Sequence, residues 1–129
     1  MESTIAEKFE AMVKLGILNS RMKDFFDIWF LTRRFNFSGH TLQKAVRATF
    51  VTRSTSLPSV PVVFTPDFSR DPIKDVQWKA FVRKTRLVNI PKDFQEIVAD
   101  IAAFLGPLVE NLASNMPFTF SWKAPGPWR

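Results

Sequence analysis

The sequence contains no cysteine, no tyrosine and a single histidine, His40. Without thiols there is no disulfide framework, thiolate nucleophile, zinc ribbon or iron–sulfur centre, and a zinc site would have to be built almost entirely from carboxylates. The lack of tyrosine removes the phenol as an acid, a base or a phosphate donor. Glycine is nearly as scarce. Gly16, Gly39, Gly106 and Gly126 are the only four, too far apart for a G-x-G-x-x-G turn or a P-loop. No Asp-x-Asp pair occurs. His40, in Ser38-Gly39-His40-Thr41, has no Ser–Asp or Cys partner nearby and is expected to shape a helix start rather than to catalyse. No stretch reaches the roughly 18 apolar residues of a membrane span. Glu2, Glu7, Lys8 and Glu10 make the N-terminus unlike a secretory signal, so a cytoplasmic location is expected.

What is present fits one globular domain. The chain has 129 residues, a formal charge of +6, 46% apolar and 23% charged residues, a balance that argues against disorder. Fourteen Phe and four Trp give a small core large side chains to bury. The spacing predicts an all-α fold of about five helices. Residues 4–17 carry a Thr4–Glu7 capping box and the stripe Ile5, Phe9, Met12, Val13, ended by Gly16. Residues 21–34, after a turn at Asn19-Ser20, are apolar around most of the circumference and so central. Residues 41–53 start at Thr41 and bury Leu42, Ala45, Val46 and Phe50. Pro58, Pro61, Pro66 and Pro72 break the next stretch into an extended connector in which residues 60–64 are a candidate edge strand. A helix over 72–86 is expected to turn Ile73, Val76, Ala80 and Phe81 inward and Lys74 outward. The last helix opens at Pro91 and carries Phe94, Ile97, Val98, Ile101, Phe104, Leu105, Leu108 and Leu112, with an end or kink expected at Gly106-Pro107. Residues 117–129, where Phe118, Phe120 and Trp122 alternate with polar residues, read as an extended arm laid on a helical core of residues 1–116.

Three features bear on chemistry. Lys8 borders the apolar stripe of the first helix, where it either lays its stem on the core edge or points into a cleft to hold phosphate. Asp24 and Asp27, three apart, share one helical face with Ile28 and Leu31. Carboxylates there are costly unless paired or functional. The helix dipole near Asp24, or Lys23 one turn from Asp27, would equally satisfy them. Between Arg21 and Arg53, seven basic residues (Arg21, Lys23, Arg33, Arg34, Lys44, Arg47, Arg53) stand against two acidic ones, an excess of 7 − 2 = +5. Such an excess attracts RNA or nucleotide phosphates, and solvated helix faces look the same.

The run Ile5-Ala6-Glu7-Lys8-Phe9-Glu10-Ala11-Met12-Val13, followed by Asn19-Ser20-Arg21-Met22-Lys23-Asp24-Phe25-Phe26-Asp27-Ile28, resembles the C-terminal signature of the AbiEii/AbiGii toxin-type nucleotidyltransferases. That signature reads approximately A-E-K-x-x-A-hydrophobic, a variable stretch, then R-x-K-D-[FLY]-x-D-hydrophobic. A looser likeness extends over about residues 2–108. The resemblance implies transfer of a nucleotide from a nucleoside triphosphate to an RNA or protein acceptor in a toxin–antitoxin or phage-defence setting. It gives Lys8 and Arg21 to the triphosphate, and it gives Asp24, with Asp27 behind it, to positioning Lys8 at the active-site edge. The complete family enzyme uses Mg²⁺ on a carboxylate pair beside a Gly-rich turn. Neither is present here, so the chain is expected to correspond to the C-terminal part of such an enzyme and to bind nucleotide without transferring it. A cognate antitoxin, a triphosphate, an RNA acceptor and self-association through an exposed apolar face are the expected partners. The alternative is a non-catalytic helical module that contacts an antitoxin or RNA.

Overall fold

Helical spacing becomes six α-helices in the computed structural model, which describes residues 1–129: α1 (Glu2–Leu15), α2 (Met22–Arg34), α3 (Gly39–Thr52), α4 (Pro66–Ser69), α5 (Pro72–Thr85) and α6 (Phe94–Ala113). Short 3₁₀ turns occupy Gly16–Leu18 and Val62–Phe64. Two dipeptides, β1 (Phe37–Ser38) and β2 (Ser121–Trp122), pair antiparallel with Phe37 opposite Trp122. The fold is mainly α.

α1 lies chiefly along α3, and α2 along α6. Their inner faces join one cluster of 25 buried apolar residues. Ile5, Phe9 and Met12 come from α1, Phe25 and Ile28 from α2, and the Phe94–Leu108 stripe from α6. Phe25, Phe68 and Phe94 pack with ring centroids 5.2–5.9 Å apart. Edge-to-face and offset contacts of this kind add to simple burial.

Several expectations need correction. α1 starts at Glu2 with no side-chain cap, so the Thr4–Glu7 box does not form. Gly16 ends α1 as expected, at φ 57°. α3 begins two residues early, with Ser38 capping the Thr41 N–H and His40 exposed in the first turn. The connector contains no strand: residues 62–64 turn as 3₁₀ helix, and Pro66 starts α4, a helix beyond the five expected. α6 runs through Pro107 to Ala113. Proline there deletes only the bond to Ala103, on the exposed side, while Leu105, Leu108 and Val109 remain buried and hold both halves in register. α5 is rotated from the expected face. Ile73 and Val76 are exposed, whereas Lys74 and Trp78 are buried. Trp78 sets this rotation: its Nε1–H donates to the Pro91 carbonyl at 2.9 Å, and its ring stacks on Phe81. Lys74 then lies over the Phe68 ring at 5.1 Å.

The arm folds back over the open end of α3 and α6. The Gly39 N–H donates to the Phe120 carbonyl at 2.8 Å. A Cβ at Gly39 would lie 2.6 Å from the Phe118 ring, so only glycine admits this approach. Phe118 and Trp122 are buried as the alternation predicts, but Phe120, which shares their face in a regular strand, is half exposed, because only Ser121–Trp122 of the arm pairs as a strand.

Glu10 is buried at 2% exposure, with Arg53 Nη1 at 2.9 Å and the Thr55 hydroxyl donating to it at 2.6 Å. Burial raises its carboxyl pKa, and the bonds from Thr55 and Arg53 outweigh this, leaving the net value below the usual 4.5. A depressed carboxyl stabilises the fold above its unfolded pKa and loses that contribution as pH falls through the folded value. Arg53→Ala should cost about 1–3 kcal/mol at neutral pH by leaving Glu10 underpaired. In urea titrations the deficit should shrink when the pH is lowered well below 4.5. An Arg53→Ala protein as stable as wild type at pH 7 would refute the role.

Candidate functional site

The turn between α1 and α2 makes the site. Asn19, 1% exposed, accepts the Arg21 N–H through its Oδ1 at 2.8 Å, which fixes where α2 starts. The two helices then face each other. The Lys8 Nζ lies 3.1 Å from Asp24 Oδ1 and 3.0 Å from Asp27 Oδ2. Arg21 Nε holds the other Asp24 oxygen at 3.1 Å, and Lys23 Nζ reaches Asp27 Oδ2 at 2.7 Å. The structure therefore brings together all four residues singled out from the sequence: Lys8, Arg21, Asp24 and Asp27.

Three cations meet two carboxylates here, a net of 3 − 2 = +1. Burial lowers the Lys8 pKa, and hydrogen bonds and charge from Asp27 and Asp24 overcome it, so the net shift is upward from 10.5. The amine is an ammonium at neutral pH. Its three N–H bonds serve two aspartates, which leaves one donor for a further acceptor. Arg21, spending only Nε on Asp24, keeps its terminal N–H groups for the same use.

Beside the cluster an open cleft of about 620 Å³ runs between the start of α2 and α5, lined by Arg21, Lys23, Asp24, Gln77, Phe81 and Lys84. A divalent metal does not fit the cluster. Each Asp24 oxygen and Asp27 Oδ2 already faces a cation, and no three His, Cys, Asp or Glu side chains gather anywhere in the structure.

The basic residues of α2 and α3 do not share one face. Arg21 and Lys23 belong to the cluster, Arg53 belongs to Glu10, and Lys44 and Arg47 sit on α3. Arg33 and Arg34 take a different arrangement that sequence reasoning missed. Their guanidinium carbons lie 5.4 Å from the Trp29 ring centroid and 4.9 Å from that of Phe30. The signal was available, since Trp29–Arg33 and Phe30–Arg34 are both i,i+4 pairs on α2. Glu10 was missed as well, having been read only as one charge among several.

Fold and cluster together define a helical module in which a lysine, tethered by two aspartates, stands behind Asp24 in the wall of a cationic cleft. The family model described as "Nucleotidyl transferase AbiEii toxin, Type IV TA system" matches residues 1–100 of the 129. The chain belongs to this family of toxin nucleotidyltransferases. Membership in a toxin–antitoxin family implies a cognate antitoxin. No curated protein and no solved structure matches the chain. No helix is long and apolar enough to cross a membrane.

Proposed function

We propose that Lys8 and Arg21 bind the phosphates of a nucleoside triphosphate, with Asp24 and Asp27 as positioning residues, in support of nucleotide transfer to an RNA or protein acceptor. The observation that carries the reading is the unspent donor capacity of a lysine held between two carboxylates beside the cleft. A phosphate oxygen takes the third Lys8 N–H and an Arg21 N–H while both aspartates keep their bonds, so binding requires no rupture of the network. Lys84 and Lys23 add positive potential along the cleft.

In family chemistry Mg²⁺ would neutralise charge on the phosphates. In our reading Asp24 and Asp27 do not hold that ion, because their oxygens are committed to Lys8, Arg21 and Lys23. The contribution of residues 1–129 is to hold and orient phosphate, at a cytoplasmic location. Incubation of the chain with labelled nucleoside triphosphates, Mg²⁺ and bulk RNA should give retained triphosphate on a filter and no label on RNA. Label on RNA that disappears in Lys8→Ala would mean that a metal site exists within these residues.

We assign self-association to the exposed apolar residues Leu15, Ile17, Leu18 and Val62, which lie on or next to the two 3₁₀ turns, themselves in contact. Light scattering at high concentration should detect more than the monomer, and a strictly monomeric species would count against it.

A further inference from the structure

The second groove along α2 has no assigned role. It occupies about 510 Å³ between α2 and the segment after α5, and is lined by Phe26, Trp29, Phe30, Arg33, Arg34 and Arg86 among others. None of its three arginines lies within 4.0 Å of a carboxylate, whereas Lys8, Arg21 and Lys23 at the other end of α2 are all paired with Asp24 or Asp27. All three are exposed. We propose that this groove binds single-stranded RNA and so holds the acceptor strand; as an acceptor site it rests on the nucleotide-transfer reading above.

The chemistry favours nucleic acid. Arg33 and Arg34 lie over aromatic rings, and neither guanidinium is paired with a carboxylate. Such an arrangement offers flat surfaces for bases and fork-shaped donors for phosphates. Arg86 comes from the far wall, placed by a left-handed backbone at φ 55° that ends α5. Phosphates contacted from both walls are held along the groove rather than at one point. Placement supports the same strand reaching both sites. Asp27 and Arg34 are seven residues apart on one helix, a rise of about 10 Å. The groove and the Lys8 cluster thus share α2 as a common wall.

The favourable interaction of Arg33 and Arg34 with the C-terminal end of the α2 dipole is a purely structural use of these charges. It predicts lower stability, and no RNA binding to begin with, when they are removed. The test separates the two. Fluorescence anisotropy of a short labelled single-stranded RNA is measured on the full chain as wild type, as Arg33→Gln/Arg34→Gln/Arg86→Gln, and as the charge-matched Lys14→Gln/Lys44→Gln/Arg47→Gln. The groove variant should bind about tenfold or more weakly. Its dependence on log salt should flatten by about 0.7 for each RNA phosphate that the variant no longer neutralises, while the variant still melts cooperatively and is folded at the temperature of the binding measurement. The charge-matched variant should bind nearly as wild type. Equal weakening in both triple variants would reduce the effect to net charge and overturn the proposal, as would full binding by the groove variant. An acidic peptide that displaces the RNA at comparable concentration and binds through the same arginines would overturn it in favour of a protein partner. Triphosphate binding is followed separately. Its absence in wild type removes the nucleotide reading and leaves the RNA measurement standing, whereas RNA failure with intact triphosphate binding removes the groove alone.

Discussion

Removing residues 117–129 is expected to leave a chain with helical circular dichroism but no cooperative thermal transition. The arm is part of the core. The Trp122 Nε1–H donates to the Thr32 carbonyl at 2.8 Å, and that of Trp128 to the Phe104 carbonyl at 2.7 Å. Phe104 is gripped between the two indoles, edge-on to Trp122 at 4.8 Å and stacked on Trp128 at 5.3 Å. Phe118 is 1% exposed, its N–H donating to Gln43 Oε1 at 3.2 Å. Deleting a buried Phe or Trp side chain costs about 3–5 kcal/mol, so removal of Phe118 and Trp122 together approaches the roughly 5–15 kcal/mol that hold a domain folded. Trp122→Ala alone should remain cooperative and be destabilised by about 3–5 kcal/mol in urea. A deletion variant that melts as sharply as the full chain would show that the arm merely rests on the surface.

The second large effect falls on the α1–α2 junction. Lys8→Ala should cost about 1–3 kcal/mol, because Asp24 is 5% exposed and keeps only Arg21 as partner. Lys8→Ala/Asp24→Asn should recover part of that stability, since the double variant no longer buries an underpaired charge. Two such contacting residues are expected to couple by about 0.5–3 kcal/mol. The Lys8 shift fixes the pH behaviour. A raised ammonium pKa gives stability that is fully present below the unfolded value of 10.5 and is lost as pH rises through the folded value. The deficit of Lys8→Ala should therefore be constant from neutral pH to about 10 and shrink above 10.5. Additive single effects would mean that the bonds contribute little in water.

Periodicity made most of this fold readable, because a stripe such as Phe94–Leu108 has one way to be buried. It failed at α5, whose composition offers two faces. Ile73 and Val76 look inward by hydropathy, and the side that won carries Trp78, a larger ring with a donor that finds Pro91 only in that rotation. It failed again at Pro107, where the local rule for proline ignores the packing on either side. The Lys8–Asp24–Asp27 meeting was legible because a short turn between two helices puts their facing sides together. The Glu10–Arg53–Thr55 set spans more than forty residues of sequence, and no local pattern encodes it. The Arg86 wall of the second groove was hidden for the same reason.

The most direct measurement is calorimetric titration of a nucleoside triphosphate into the full chain, as wild type and as Lys8→Ala, at low and at high salt, with near-ultraviolet circular dichroism confirming that each protein is folded. Phosphate held by Lys8 predicts binding in wild type that weakens as salt rises, and no detectable heat with a folded Lys8→Ala. Equal affinity in the two proteins, or affinity indifferent to salt, would contradict the assignment of Lys8 to phosphate and leave the cluster as a brace between α1 and α2.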